Sequence, residues 1–427
     1  MVVAKALTRG QEADYVDGLV SRIVRECPRR QPTSEDELRG HLIMRGEFDK
    51  LGLDTRFHHF RFNDNLYKNL ALHFGLGVLG TMVSGVAPMA GFALHLGPSA
   101  SYWADSTRRG YYLRRLFEFK PSQNLLAVLP AEGEPALRIV LAAHIDAAFT
   151  GLLFDPKVLN RFTREPPAFL SFTKRSLAMA TRTQASLAGF DLLRAVFGPI
   201  LTLPLRPIET LLTIPSALAF ALNLQVLIRN EIVPGAMDDL SGVAALPLLA
   251  RRLAKRKRRD VEIVLAVTGC EEASLGGADA LARDMEGVWD KDRTVIIGLD
   301  GICNGDLRFL EIEGEVVKTP VPAWLGETVR KVAASEPRFA EVTGFEVPVG
   351  GSDVAAFLAR GWQGVCLACV DPEIGAPRHY HQPSDSPENL ETDKIIYSID
   401  FTEKLVRAVI RRRLARKKRQ VRRNSVP

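Results

Sequence analysis

The 427-residue sequence is poor in cysteine: Cys27, Cys270, Cys303, Cys366 and Cys369 are scattered along its length. That excludes a disulfide framework and fits a reducing compartment. Cys366 and Cys369 form a C-x-x-C, but within an apolar run, 364–370, that predicts a buried strand. A redox pair normally opens a helix, so these two read as structural. The chain also lacks a P-loop, an internal repeat and a low-complexity linker, and no glycine-rich phosphate cradle is expected. Its first residues are too polar to read as a secretory signal.

Charge is missing from two long stretches. No Asp, Glu, Lys or Arg occurs from Asn69 to Ala104, or from Thr210 to Ile228. A membrane helix needs about 20 apolar residues, about 17 at the lower end. The first stretch is just long enough for two crossings with a turn at Pro88. The strands flanking each insertion are expected to join one sheet, so the chain must return to the side it left and crosses twice or not at all. The partner of 210–228 would be 186–205, where Asp191 and Arg194 are unfavourable in lipid. Amphipathic or re-entrant packing is therefore the equal reading there, and an apolar lid or dimer surface of a soluble enzyme the alternative for both. Arg108, Arg109, Arg114 and Arg115 follow the first insertion, and Lys174, Arg175 and Arg182 lie in the second. Their side of the membrane would be the cytoplasmic one.

Acidic residues are not scarce, although the formal charge is +6. Residues 411–423 (RRRLARKKRQVRR) hold nine basic residues and no acid; removing these nine from +6 leaves −3 for the rest. A basic tail of this kind suits anionic lipid. No aromatic residues interleave with it, so nucleic acid is not expected. A second basic block, 251–259, reads as a solvated helix end.

What is abundant is strand–helix alternation. Strands are predicted at 56–62, 124–129, 138–142, 261–267, 294–299 and 364–370, and helices at 13–26, 34–51, 243–253, 277–283, 324–334 and from 393 into the tail. Near-continuous β-branched and leucine runs indicate strands covered on both faces. The expected fold is α/β, with a mixed, mostly parallel sheet between helices. The expected organisation is N-terminal helices and a first strand (1–66), an apolar insertion (67–117), catalytic domain (118–150), a second insertion (151–228), catalytic domain (229–410) and the tail (411–427).

Five short motifs accompany this pattern: His144-Ile145-Asp146, Asp238-Asp239-Leu240-Ser241-Gly242, Glu271-Glu272, Leu299-Asp300-Gly301, and His381 ahead of Asp385-Ser386. Each has an ordinary explanation: a structural histidine, a helix cap, a solvated turn. Yet His144, Glu271-Glu272 and Asp300 follow predicted strands at their carboxyl ends, where ligand sites gather. Asp146 is placed to accept a hydrogen bond from His144. Adjacent glutamates repel when buried unless they face positive charge. His and Asp or Glu side chains ligate zinc, and paired metals share a bridging carboxylate. His379 competes with His381.

In this order the motifs resemble the co-catalytic zinc aminopeptidase family, which also includes glutamate carboxypeptidase and glutaminyl cyclase relatives. The pieces here read HID, DDLSG, EEASLGG, GLDG and HQPSDS, over roughly 120–150 and 229–400. The resemblance implies two zinc ions. His144 and Asp300 would hold one, Glu272 and His381 the other, with Asp238 bridging, Glu271 as general base and Asp146 supporting His144. The Asp238–Asp239 peptide is often cis in such enzymes. Ser386 stands where threonine is usual, and the span from His144 to Asp238 is far longer than the family's loop. Gly351-Ser352-Asp353 also echoes a family segment; it reads first as a helix cap.

The function expected is a zinc-dependent exopeptidase, best an aminopeptidase, hydrolysing a peptide bond with hydroxide held at the metals and a glutamate general base. It would be membrane-associated through the insertions and the tail, with its catalytic body in the cytoplasm. The alternatives are a related carboxypeptidase, deacylase or glutaminyl cyclase, or a non-catalytic membrane scaffold of the same fold.

Overall fold

The computed structural model describes residues 7–163, 176–255 and 259–424; Lys174, Arg175 and part of the 251–259 block lie outside them. The chain begins with helices α1 (Arg9–Glu26) and α2 (Glu35–Asp49). Thr8 and Ser34 cap them by accepting the N–H groups of Gln11 and Glu37. Next come β1 (Asp54–Phe62), α3 (Leu66–Val83), α4 (Pro88–Ser106), β2 (Lys120–Leu129), β3 (Leu137–His144), α5 (Pro156–Thr163), α6 (Ser176–Leu201) and α7 (Arg206–Arg229). The remainder alternates: α8 (Leu240–Ala254), β4 (Val261–Thr268), α9 (Gly276–Asp284), β5 (Thr294–Leu299), β6 (Asp306–Glu313), β7 (Thr319–Pro320), α10 (Ala323–Ala333), β8 (Gly344–Glu346), α11 (Asp353–Ala359), β9 (Gln363–Val370) and α12 (Thr392–Asn424).

The strands form one sheet in the order β1-β2-β4-β3-β5-β9-β6-β7, with β8 beside β6. Its centre, β4-β3-β5-β9, is parallel; β1 and β2 on one margin and β6 on the other join antiparallel. The mixed sheet is as expected, but β6 to β8 were not read from the sequence, and of α11 only its start at Gly351-Ser352-Asp353 was. Those strands are short or partly exposed and show no clean period. Helices α1, α8, α10 and α12 cover one face, and α9 and α11 the other. Cys366 and Cys369 fall on opposite faces of β9, one in each core layer, because residues three apart in a strand point opposite ways.

Both insertions leave from one edge. β1 runs parallel to β4 through their shared partner β2, so Phe62, Lys120 and His144 all lie at the carboxyl edge of the central strands. Helices α3, α4, α6 and α7 rise from that edge and pack together. Gly75, Gly77 and Gly80 permit the close approach: a Cβ there would lie 2.9 Å from Phe220, 2.3 Å from Gln184 and 2.9 Å from His95. These glycines spell G-x-G-x-x-G, but inside a helix rather than in a strand–helix turn, so they cradle no phosphate.

The bundle is inverted relative to a water-soluble one. Its interior holds Asn69, His73, His95, Gln184, Asp191, Arg194, Glu209 and Asn223. Its surface and tip are apolar: Val86 is 91% exposed and Ile200 84%, whereas Asp191 and Arg194 are 1% and 2%. Asp191 accepts from Ser84 and pairs with His95 at 2.6 Å, and Arg194 bonds to Glu209. The two charges that made 186–205 a poor membrane segment thus point inward. α6 kinks at Gly198 (φ 80°) and Pro199, and the return helix begins at Arg206, ahead of the expected start. Among the described residues one helix, Leu203–Arg229, is long and apolar enough to cross a membrane.

α12 begins beside the carboxyl edge, where the N–H of Glu391 bonds Asn304. By Arg413 it has reached the opposite edge, where that side chain donates to the carbonyl of Asp292, just ahead of β5. Arg252, expected in a solvated helix end, is bound to Glu12 and Asp400.

Candidate metal centre

Three strands and two loops converge at the carboxyl edge. β3 ends in His144, β4 feeds the Glu271-Glu272 loop, β5 is followed by Asp300, and the segment before α8 presents Asp238. His381 comes from the loop after β9. Nε2 of His144 lies 3.1 Å from Oδ1 of Asp238 and 4.0 Å from both Asp300 and Glu271. Nε2 of His381 lies 3.4 Å from Oδ2 of Asp238 and 3.2 Å from Glu272. Three groups of metal-spaced donors result among the described residues: His144–Asp238–Asp300 and Asp238–Glu272–His381, joined through one carboxylate, and His144–Glu271–Glu272, which overlaps both. His379 turns away and bonds Ser384.

The two acids before α8 divide the readings open to them. Asp239 is the cap: its side chain accepts the N–H groups of Gly242, Gly301 and His144. The peptide between Asp238 and Asp239 is cis, and Asp238 faces the histidines. Asp385 accepts the N–H groups of Met237 and Asp238, at 2.5 and 3.2 Å, so the last motif holds the second one in place.

The partner of His144 differs from expectation. Its Nδ1 lies 3.1 Å from the main-chain carbonyl of Asp146, while the Asp146 carboxylate is 3.7 Å away. That carboxylate instead accepts the N–H groups of Glu271 and Glu272, at 3.1 and 2.9 Å. The reason is geometric: the chain turns after His144, so the nearer acceptor is the carbonyl, and the side chain reaches across to the next strand's loop.

Charge balance fits a cation. Burial opposes ionisation of Glu271, and with Glu272 and Asp300 nearby its carboxyl is pushed well above the usual range; Asp300 is raised by burial and by Asp238. Burial also opposes a charge on His144 and His381, but Glu271 holds the first well above its ordinary value, and Glu272 with Asp238 holds the second at about 10. Asp238, despite burial, is held low by both histidines. Nδ1 of His381 is buried with no hydrogen-bond partner. Two buried carboxylates, Asp238 and Glu272, and two partly enclosed ones, Glu271 and Asp300, around two imidazoles suit divalent zinc by donor type and count.

Several neighbours, apart from Ser352 and Asp353, were not singled out in the sequence. Phe154, at the root of the second insertion, packs on His381 with ring centroids 4.4 Å apart; Tyr380 lies 3.9 Å from the same imidazole and meets Phe154 at 5.7 Å. Tyr67, at the root of the first, meets Phe154. Glu37 of α2 accepts the N–H of Cys270 and the hydroxyl of Ser122, and burial pushes it up to about 8. Ser352 precedes α11 but does not cap it with its side chain, which donates to Glu313. Asp353 is buried against Thr268.

The mixed sheet flanked by helices is the zinc exopeptidase fold. Residues 225–405 match the model of peptidase family M28, which carries the resemblance read from the motifs. A zinc aminopeptidase from Bacillus subtilis shares the fold with a TM-score of 0.54 at 14% identity, over 92% of this chain and 94% of its own. An aminopeptidase from Aneurinibacillus sp. strain AM-1 gives 0.53 at 14%, over 92% and 93%. A glutaminyl cyclase from an Acidobacteriales bacterium gives 0.51 at 14%, over 96% and 99%. No curated protein matches the sequence. The match and the fold support a metal-dependent peptidase or related hydrolase that uses zinc.

Proposed function

We propose that the protein is a two-zinc aminopeptidase anchored in a membrane by its inverted bundle. The observation that carries the catalytic part is the shared carboxylate: Asp238 gives one oxygen to the His144 group and the other to the His381 group. His144 and Asp300 would hold one metal, Glu272 and His381 the second. Bound there, the pair would polarise a scissile carbonyl and make a water acidic enough to attack it.

The remaining steps belong to the chain. Glu271 is the carboxylate left over, beside both groups and only partly enclosed. It takes the proton of the attacking water and delivers it to the leaving amine. Asp146 keeps Glu271 and Glu272 in register through their N–H groups, and Asp239 and Asp385 hold Asp238. Phe154 and Tyr380 exclude water from the His381 side.

Membrane association is supported by the outward-facing apolar surface, the inward-facing charges and the length of Leu203–Arg229. We assign the contact to the bundle and not to the tail. β3 is 8 residues long, about 26 Å at the strand rise, and the basic end of α12 leaves at the edge opposite the bundle. The surface field of the bilayer decays over about 8 Å at physiological salt. The catalytic body and the basic end then share the side expected to be cytoplasmic.

Zinc-loaded protein should cleave the first residue from peptides with a free amino terminus and leave acetylated ones intact. Equal cleavage of both would overturn the aminopeptidase reading, and ring closure of an amino-terminal glutamine without hydrolysis would make it a cyclase.

A further inference from the structure

The loop carrying Glu271 and Glu272 is gripped from two sides. Its conformation is unusual: Cys270, Ser274 and Leu275 have φ of 56°, 86° and 55°, where residues with a Cβ are disfavoured. Its own main-chain bonds use the carbonyls of Glu271 and Cys270, which accept from Ser274, Leu275 and Gly276. On the body side, Asp146 takes the N–H groups of both glutamates.

On the bundle side stand two buried arginines. Nη1 of Arg114 donates to the carbonyl of Ala273 at 2.9 Å, and Nη1 of Arg108 to the carbonyl and hydroxyl of Ser274, each at 3.0 Å. Arg114 is clasped by Asp105 of α4 through two bonds, of 2.7 and 3.0 Å, and Asn69 of α3 donates to the same carboxylate. Arg108 faces Glu315 at 3.5 Å, and Glu315 also accepts from Tyr102 of α4. A continuous polar path therefore runs from α3 and α4 through two guanidinium groups to the two residues that follow Glu272. In the sequence these arginines read as basic flanks on the cytoplasmic side of the first insertion; the fold buries both.

Two neutralised ion pairs would serve merely to close the root of an insertion. Here, however, their free donors end on the carbonyls next to the glutamate pair, in a loop whose backbone needs outside support. We propose that Arg108 and Arg114 are positioning residues of the catalytic centre, so that the first insertion works in catalysis as well as in anchoring. The proposal rests on Glu271 as proton carrier and Glu272 as ligand.

The test compares Arg108→Met and Arg108→Lys in the full, zinc-loaded chain, using a panel of aminoacyl anilides. A misplacement near 1 Å at a reacting group costs up to about a hundredfold. Arg108→Met should lower kcat about ten- to a hundredfold, with KM within about threefold and zinc content unchanged, and Arg108→Lys should recover to within about fivefold. A kcat within twofold of the parent for Arg108→Met, or a loss wholly matched by lost zinc, overturns the proposal. If Arg108→Met does not fold, Glu315→Gln carries the test. It should lower kcat about threefold or more at unchanged KM, and an unchanged kcat overturns it. A Glu271→Gln protein with full kcat would instead remove the underlying assignment, whatever the arginines do.

Discussion

Oδ2 of Asp238 lies 3.4 Å from Nε2 of His381, while its Oδ1 lies 3.1 Å from Nε2 of His144. One side chain thus serves both donor groups, whereas Asp300 serves one. Asp238→Asn should weaken both metals together, and Asp300→Ala only one. Zinc measured by elemental analysis after dialysis is expected to fall from two equivalents to near none in the first case and to about one in the second. Two equivalents retained by Asp238→Asn would refute the bridge.

Glu271 is in neither of the two donor groups that share Asp238, although it lies within metal-ligand spacing of His144 and Glu272. Glu271→Gln should keep its zinc and lose about a hundred- to ten-thousandfold in kcat, the range for a general acid–base residue. Chelation should abolish activity in the parent, and added zinc should restore it. Metal loss in Glu271→Gln would mean that Glu271 is a ligand and not the proton carrier.

Glu313 is fully buried, accepts from Ser352 through one oxygen and leaves the other unpartnered. Burial raises its carboxyl from 4.5 to about 7. Between those values the folded protein keeps a proton that the unfolded chain has released, so stability falls as pH rises, and the loss is complete above pH 7. The shift corresponds to about 3 kcal/mol. Glu313→Gln should remove that part of the slope between pH 5 and 8 in urea unfolding. Identical slopes in parent and variant would show that Glu313 is ionised throughout.

The inverted bundle should hold the protein in membranes through alkaline carbonate and high salt, and removal of residues beyond 415 should not release it. Asp191→Asn leaves Arg194 with less compensation inside the bundle, and a broken buried pair costs about 3–5 kcal/mol. The variant should therefore extract or unfold at markedly lower detergent or temperature than the parent. Salt-sensitive loss of membrane binding on truncating the tail would shift the anchor from the bundle to α12.

The catalytic motifs were legible because each is local: a histidine, a glutamate pair or an aspartate directly after an apolar run marks a strand end, and strand ends share an edge in such sheets. The cap at Ser34 was legible for the same reason, since it bonds a group three residues away, whereas Thr8 was not read because the first helix was expected only from residue 13. The direction of Asp191 and Arg194 was not, because a charge in an apolar helix says only that a partner is needed. The partners, Ser84, His95 and Glu209, stand on other helices or beyond the next turn.

The sequence by itself therefore determined the α/β alternation, the donor set and the two charge-free insertions, since all three follow from neighbours along the chain. The meeting of His144, outside the family-matched segment, with Asp238 across the second insertion was expected from the motifs, and the tertiary structure brings them to 3.1 Å. It alone turned the bundle's polar residues inward, chose the carbonyl of Asp146 over its carboxylate for His144, and set Arg108 and Arg114 against the glutamate loop. Those outcomes depend on which buried donor and acceptor are nearest in space. Burial forces such groups to find partners, and the fold alone decides which partner is within reach.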